Sequence, residues 1–349
     1  MAGKWLEGFE THTNVSQLDR KYATRTGSVA VGAGRVFGNS GAPNAFVAVT
    51  PSFGLSTTFV IGFGLRITSQ QAGLNANAQG LYLEKASNEQ CHIEFLNNAG
   101  SFEIRIMRGS TQVAVTSSAF AYGIWHYFEV KLTVDTGTNG AYEVRQNEVS
   151  VLSGSSVNLA NTGTSQADIF AFRFTSNVST SVFFDDLYVL DTIGSRNADF
   201  RGDTAIEGIL PNANGTTIQW ANDAGAGSNF DNVDDPGNSA PDESGAGGTN
   251  SSGTVGNKDL YAMQDLAHVN GTIHFIQVGH QLGMAAAGSR QVHGRYRDDG
   301  GTEANFATYT VASTVFDEFV TVLDANPATS TDWDVNDING GQFGQDVAT

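Results

Sequence analysis

Residues 181–192 read Ser181-Val-Phe-Phe-Asp-Asp-Leu-Tyr-Val-Leu-Asp-Thr192. Aromatic and branched apolar residues on both sides of a carboxylate pair predict a strand buried on both faces. Alternation puts Phe183, Leu187 and Val189 on one face, with Phe184, Tyr188 and Leu190 on the other. The same rule sends Asp185 and Asp186 to opposite sides. One should cap backbone amides or pair with an arginine, and the other should face water. The composition changes just past this stretch, so it also marks a boundary near residue 195.

Upstream, Thr57–Ile67 carries Phe59, Ile61, Phe63, Leu65 and Ile67 at every second position, the period of a strand with one face in a core. Short strand-like runs follow at 81–84, 92–96, 102–107 and 112–116, separated by turns such as Asn97–Gly100 and Arg108–Ser110. Trp125–Asp135 is the next strong strand, and residues 142–152 read as a hairpin around Asn147. Ile169–Phe174 leads back to 181–192. Many strands with almost no helical period predict an all-β chain whose residues 1–195 form a β-sandwich.

Residues 196–349 form a second, smaller and acidic β-rich region, with strands near 258–263, 272–282, 290–297, 306–311 and 318–323. Within it, residues 222–256 are rich in Gly, Ser, Asn and Asp and poor in apolar residues. Such a stretch builds no core of its own and reads as a long surface loop or an arm on a neighbouring subunit. Thr331 or Asp332 is placed to cap one short helix, with Trp333 and Ile338 inward.

The chain has 349 residues, 41 of them Gly, and a formal net charge of −18. Residues 1–195 hold 12 Lys+Arg against 15 Asp+Glu, and residues 196–349 hold 6 against 21. The acidic second half repels polyanions, which argues against nucleic-acid binding. No window reaches a transmembrane length, and the first residues lack the apolar core of a signal peptide, so synthesis in a cytoplasm without membrane insertion is expected. The single cysteine, Cys91, excludes an internal disulfide and reads as a small, half-buried strand residue.

Asp185 and Asp186 are the candidate metal ligands, with calcium as the ion to consider. A hard-cation site needs several converging oxygens, and glycosidase chemistry needs carboxylates on two sides of a sugar. Asp231, Asp234, Asp235, Asp242 and Glu243 lack the ligand spacing of a calcium-binding loop. His274 and His280 lie too far apart along one strand to share a metal, and His268 and His293 are separated in sequence. No nucleophile elbow, phosphate-binding loop or dinucleotide fingerprint is present. The residues therefore lead to an expectation of no enzyme and no cofactor. Trp5, Trp125, Trp220 and Trp333 are the aromatic candidates for stacking on sugars.

The strand at Trp125–Val130 with its hairpin to Val151, and the closing Val182–Asp191, resemble the concanavalin A-like (LamG-like) jelly-roll sandwich. Glu7-Gly8-Phe9-Glu10 followed by Tyr22 is similar to the start of such domains in virion proteins of tailed bacteriophages. Segments of the second half, Lys258–Tyr261 and Asn326–Thr329 among them, look like phage structural proteins. The resemblance implies a tail-associated virion structural protein that acts by assembling with copies of itself and with other virion proteins. Its alternatives are a glycan-binding host-attachment protein, a capsid-surface decoration protein or a polysaccharide depolymerase.

Overall fold

The computed structural model describes residues 2–9, 21–36, 39–70, 74, 79–174, 181–223, 227–234 and 248–349. The chain is all-β apart from short helical turns, and it divides into two compact units, Met1–Ile206 and Glu207–Thr349.

In the first unit the strands are β1 (Gly3–Glu7), β2 (Thr24–Ala33), β3 (Asn39–Val49), β4 (Thr58–Ile67), β5 (Gln79–Lys85), β6 (Asn88–Asn98) and β7 (Ser101–Arg108). They continue as β8 (Thr111–Val115), β9 (Phe120–Ala121), β10 (His126–Thr133), β11 (Gly140–Gln146), β12 (Val149–Val157), β13 (Ile169–Phe174) and β14 (Val182–Asp191). The hydrogen-bonded path runs β12-β11-β10-β4-β14-β3-β13-β5-β6-β7-β8, with β1 on β14, β2 on β3 and β9 on β7. One bridge, Phe184 to Gly41, joins its two halves. The path folds over there into a sandwich. Phe63 on β4 meets Phe95 on β6 at 6.0 Å, and Phe128 on β10 meets Phe102 on β7 at 6.3 Å between ring centroids.

The alternation in β4 explains this packing. Phe59, Ile61, Phe63, Leu65 and Ile67 are fully buried and pair across to β10 at Leu132, Val130, Phe128 and His126. The hairpin from β11 to β12 turns on Asn147 and Glu148, both at positive φ (47° and 67°), which suits the right-handed twist of a two-residue connection. Cys91 is fully buried rather than half-buried, because both faces of β6 are covered at its level. Burial pushes its thiol well up.

In the second unit β15 (Pro211–Ile218), β16 (Ala221–Asn222), β17 (Asn250–Ser251), β18 (Lys258–Met263), β19 (Ile276–Leu282), β20 (Arg290–Arg297), β21 (Glu303–Val311), β22 (Asp317–Leu323) and β23 (Gln342–Val347) form a five-stranded sheet, β15-β18-β23-β20-β21, and the pairs β16-β17 and β19-β22. Tyr296, Leu323, Trp333, Ile338 and Phe343 form its core between the five-stranded sheet and β19-β22. The α-helix among the described residues, α1 (Val335–Asn339), is capped by Asp334, whose side chain accepts from the amides of Asn336 and Asp337. The cap is thus two residues beyond the expected Asp332, since Asp337 at the third helical position returns a bond to the Asp334 amide. Of the expected arm, residues 224–226 and 235–247 lie outside the described residues. The rest is tied down by β16-β17 and a 3₁₀ turn at Asn229–Asn232.

Candidate functional site

The first unit's distinctive chemistry lies on the outer face of the sheet formed by β12, β11, β10, β4 and β14. Because Phe128, Val130 and Leu132 point into the core, the residues between them project outward: Trp125, Tyr127, Glu129, Lys131 and Thr133. At about 3.3 Å per residue this row is about 26 Å long. Opposite it, β4 contributes Gly62 and Gly64. A Cβ at Gly62 would sit 2.2 Å from the Tyr188 ring and 2.8 Å from the Tyr127 hydroxyl. A Cβ at Gly64 would sit 2.9 Å from Arg35 Cδ. The two glycines let these side chains lie flat on the sheet.

The centre of the face holds Asp185 and Asp186, on the same side rather than on opposite sides. The strand bulges between Asp185 and Tyr188, and Asp186 has φ of +50°. The bulge also switches the parity of the strand. Phe184 pairs with Leu65 and Val189 with Ile61 toward the core, while Phe183 pairs with Arg66 and Tyr188 with Gly62 on the outer face. Neither carboxylate faces water. Asp185 accepts from the Arg35 amide at 2.5 Å and from the Asp186 amide at 2.9 Å. Asp186 accepts from Arg35 Nε at 2.7 Å and from the Ile206 amide at 2.7 Å. Burial and the neighbouring Asp186 push the Asp185 carboxyl up to about 7. Burial raises Asp186 too, against the pull of Arg35. Burial alone would lower Arg35, but Asp186 and Asp203 outweigh it and hold the guanidinium charged.

These oxygens do not fit calcium. A guanidinium already occupies the position a cation would take, and the remaining lone pairs serve backbone amides. Among the described residues no group of three or more His, Cys, Asp or Glu is arranged to hold a metal. Asp235, Asp242 and Glu243 lie outside those residues. His280 is buried, donates from Nε2 to the Gly344 carbonyl at 3.0 Å, and is pushed down to about 4 by burial. His293 pairs with Asp346 at 2.8 Å.

Residues 199–206 lie across this centre. The amides of Arg201 and Gly202 donate to Glu129 Oε1 at 2.6 and 3.0 Å, and the Tyr188 hydroxyl donates to the same oxygen. Tyr127 and Thr204 share a hydroxyl bond at 2.5 Å, and Asp203 pairs with Arg35 at 2.7 Å. Glu129 Oε2 is buried with no partner among the described residues, and burial raises this carboxyl. The Arg201-Gly202-Asp203 tripeptide is therefore part of this cover.

Beyond the cover lies a cleft with a volume of about 380 Å³, lined by Lys131, Thr133, Ala141, Tyr142, Glu143, Ser153, Gly154 and Ser155. Phe200 lies beside it, with Arg145 stacked 3.8 Å above its ring. Lys131 reaches Asp199 at 3.1 Å, and Glu143 accepts from Arg145 at 2.8 Å. At the opposite end are Trp125, Arg66 and Phe183. Of the other tryptophans, Trp5 and Trp333 are core residues, and Trp220 donates to the Asn257 carbonyl at 3.1 Å. Sequence reasoning missed Arg35, Arg66, Tyr127, Glu129 and the cleft. The one signal for them was glycine at 62 and 64 inside an otherwise bulky strand.

No family model and no curated protein sequence matches the chain. Solved structures similar to it include alginate lyase Aly36B, at 10% identity and a TM-score of 0.38 over 53% of this chain and 96% of that one. Domain 4 of AbnA, an extracellular arabinanase from Geobacillus stearothermophilus, solved with arabinotriose, is 17% identical with a TM-score of 0.38 over 54% and 93%. The carbohydrate-binding module CBM66 from Bacillus subtilis is 10% identical with a TM-score of 0.32 over 49% and 97%. The likeness is one of fold, a lectin-like β-sandwich. It corrects the expectation of a chain that is no enzyme: polysaccharide lyases stand among the similar structures, so the fold gives no ground for excluding catalysis. These findings lend no support to the virion role or to the assembly partners.

Proposed function

We propose that the first unit binds a glycan, with the sugar seated in the cleft on β10, β11 and β12. The observation that carries this reading is the lining itself. Lys131 supplies a donor, Glu143 an acceptor, and Thr133, Ser153 and Ser155 hydroxyls that do both, on an open sheet surface beside the Phe200 ring. A sugar presents the same mixture: dense hydroxyls at its rim and an apolar C–H face for a ring. A shallow polar cleft of this kind implies affinities in the micromolar to millimolar range, which is about 4–8 kcal/mol. Structural neighbours described as carbohydrate-binding are in keeping with the reading, which rests on the cleft.

The test is calorimetric titration of the full chain with arabino-oligosaccharides and alginate oligosaccharides, with reducing-end release followed in the same samples. Ser153→Trp fills the cleft and Lys131→Ala removes its donor. Each is expected to weaken binding tenfold or more without changing the unfolding midpoint. Undiminished binding by Ser153→Trp, or no binding of any saccharide by the wild type, overturns the proposal.

A further inference from the structure

At the other end of the same face, three neighbouring strands place three side chains in a row. Arg66 on β4 is the cross-strand partner of Phe183 on β14. Trp125 immediately precedes β10, one step beyond the His126–Leu65 pair, so it stands on the other side of Arg66. The Arg66 guanidinium carbon lies 5.0 Å from the Trp125 ring centroid and 4.7 Å from that of Phe183. Phe183 is a fixed wall: a Cβ at Gly32 on β2 would meet its Cε1 at 2.7 Å.

Four arginines of the first unit meet acid. Arg35 pairs with Asp186, Arg105 with Glu94, Arg145 with Glu143 and Arg173 with Glu84. Arg66 instead meets two rings, and its Nε is buried with no acceptor among the described residues. The residue as a whole is half-buried rather than buried. The carboxylate pair at the centre of this face, Asp185 and Asp186, is held by Arg35 and by backbone amides. A planar fork, flanked by rings on both sides and unmatched by any carboxylate among the described residues, is suited to bidentate capture of an incoming one.

We propose that Arg66, clamped between Trp125 and Phe183, is the anion-recognising element of a second saccharide subsite, one that takes a sugar carrying a carboxylate or a sulfate group. The proposal rests on the glycan-binding reading of this face but uses different residues from the cleft. The rings supply the stacking surface and the guanidinium supplies the selectivity. The first unit suits such a ligand better than the second, since residues 1–195 have 15 acidic against 12 basic side chains and residues 196–349 have 21 against 6.

The test uses the full chain and three probes titrated by calorimetry at low salt: tetragalacturonate, its methyl ester, which keeps the sugar skeleton and loses the charge, and a sulfated galactan tetramer. The acid or the sulfated probe is expected to bind about tenfold or more tightly than the ester. Arg66→Met should bring the charged probes down to the level of the ester, Arg66→Lys should keep part of the preference, and both should retain the wild-type unfolding midpoint. Preference for tetragalacturonate identifies a uronate, and preference for the sulfated probe identifies a sulfated sugar. Equal binding of ester and charged probes, or a charge preference that survives Arg66→Met, overturns the proposal. Ser153→Trp separates the two readings. If it leaves an Arg66-dependent charge preference intact, this subsite stands whatever becomes of the cleft. If it abolishes all binding while Arg66→Met changes nothing, the cleft stands alone.

Discussion

The two units should respond to pH with opposite signs. In the first, burial and Asp186 raise the Asp185 carboxyl from an ordinary 3.8 to about 7. Between those values the folded state holds a proton that the unfolded chain has lost, so stability falls as pH rises through the window. Three units correspond to at most about 4 kcal/mol. Glu129 and Asp186, also raised, act in the same direction. So does His92, which is lowered by burial but raised overall by Glu89 and Glu94, and whose stabilisation is lost as pH rises through its folded value. In the second unit burial lowers His280 from 6.5 to about 4. There the unfolded chain binds the extra proton, so stability is lost as pH falls from 6.5 to 4, by at most about 3 kcal/mol. Glu303, held down overall by Lys258 and Arg295 against burial, adds to the loss at the acid end. Calorimetry between pH 4 and 7.5 should resolve two transitions moving in opposite directions. Pulse labelling of Cys91, the single thiol, assigns one of them to the first unit. Asp185→Asn should flatten that slope, and His280→Gln, which keeps a donor toward the Gly344 carbonyl, should flatten the other. Transitions that move together, or slopes untouched by these substitutions, would refute the reasoning.

Gly62→Ala would drive a methyl group into the Tyr188 ring and break its bond to Glu129. Overpacking of this kind costs about 1–3 kcal/mol, measured by urea unfolding with Cys91 labelling, whereas Gly253→Ala, with open space around it, should be neutral. Glu148→Gly relieves a left-handed residue in the β11–β12 turn and should stabilise the first unit by up to about 1 kcal/mol in the same measurement. Trp333→Ala removes a ring packed on Tyr296 and Phe343 and should cost about 3–5 kcal/mol in the calorimetric transition of the second unit, leaving the first unchanged.

What the chain reveals by inspection is what depends on local periodicity. The alternation of Phe59 through Ile67 and of Phe128 through Leu132 defines the core, and Asn147 marks its hairpin, because each rests on neighbours a few residues away. The carboxylate pair departs from its pattern for the complementary reason. Strict alternation separates Asp185 from Asp186, but Arg35, 150 residues earlier in the chain, gathers both through a bulge that has no local signature. The cleft and the Arg66 clamp depend on register among β10, β4 and β14, which are distant in sequence. Single strands show that Trp125 and Arg66 project outward, but not that they meet.

The cover over the centre of the face determines how a ligand can use it. Glu129, Asp185 and Asp186 are buried, and each accepts an amide from residues 199–206 or from Arg35. Lifting the segment would strip Glu129 of two amide donors and Arg35 of Asp203, leaving charged groups to be rehydrated together. A saccharide contributing only neutral hydroxyls replaces those bonds weakly. On the proposed reading, the cleft and the Arg66 clamp would therefore act as separate sites on either side of this cover, one for hydroxyls and the other for charge.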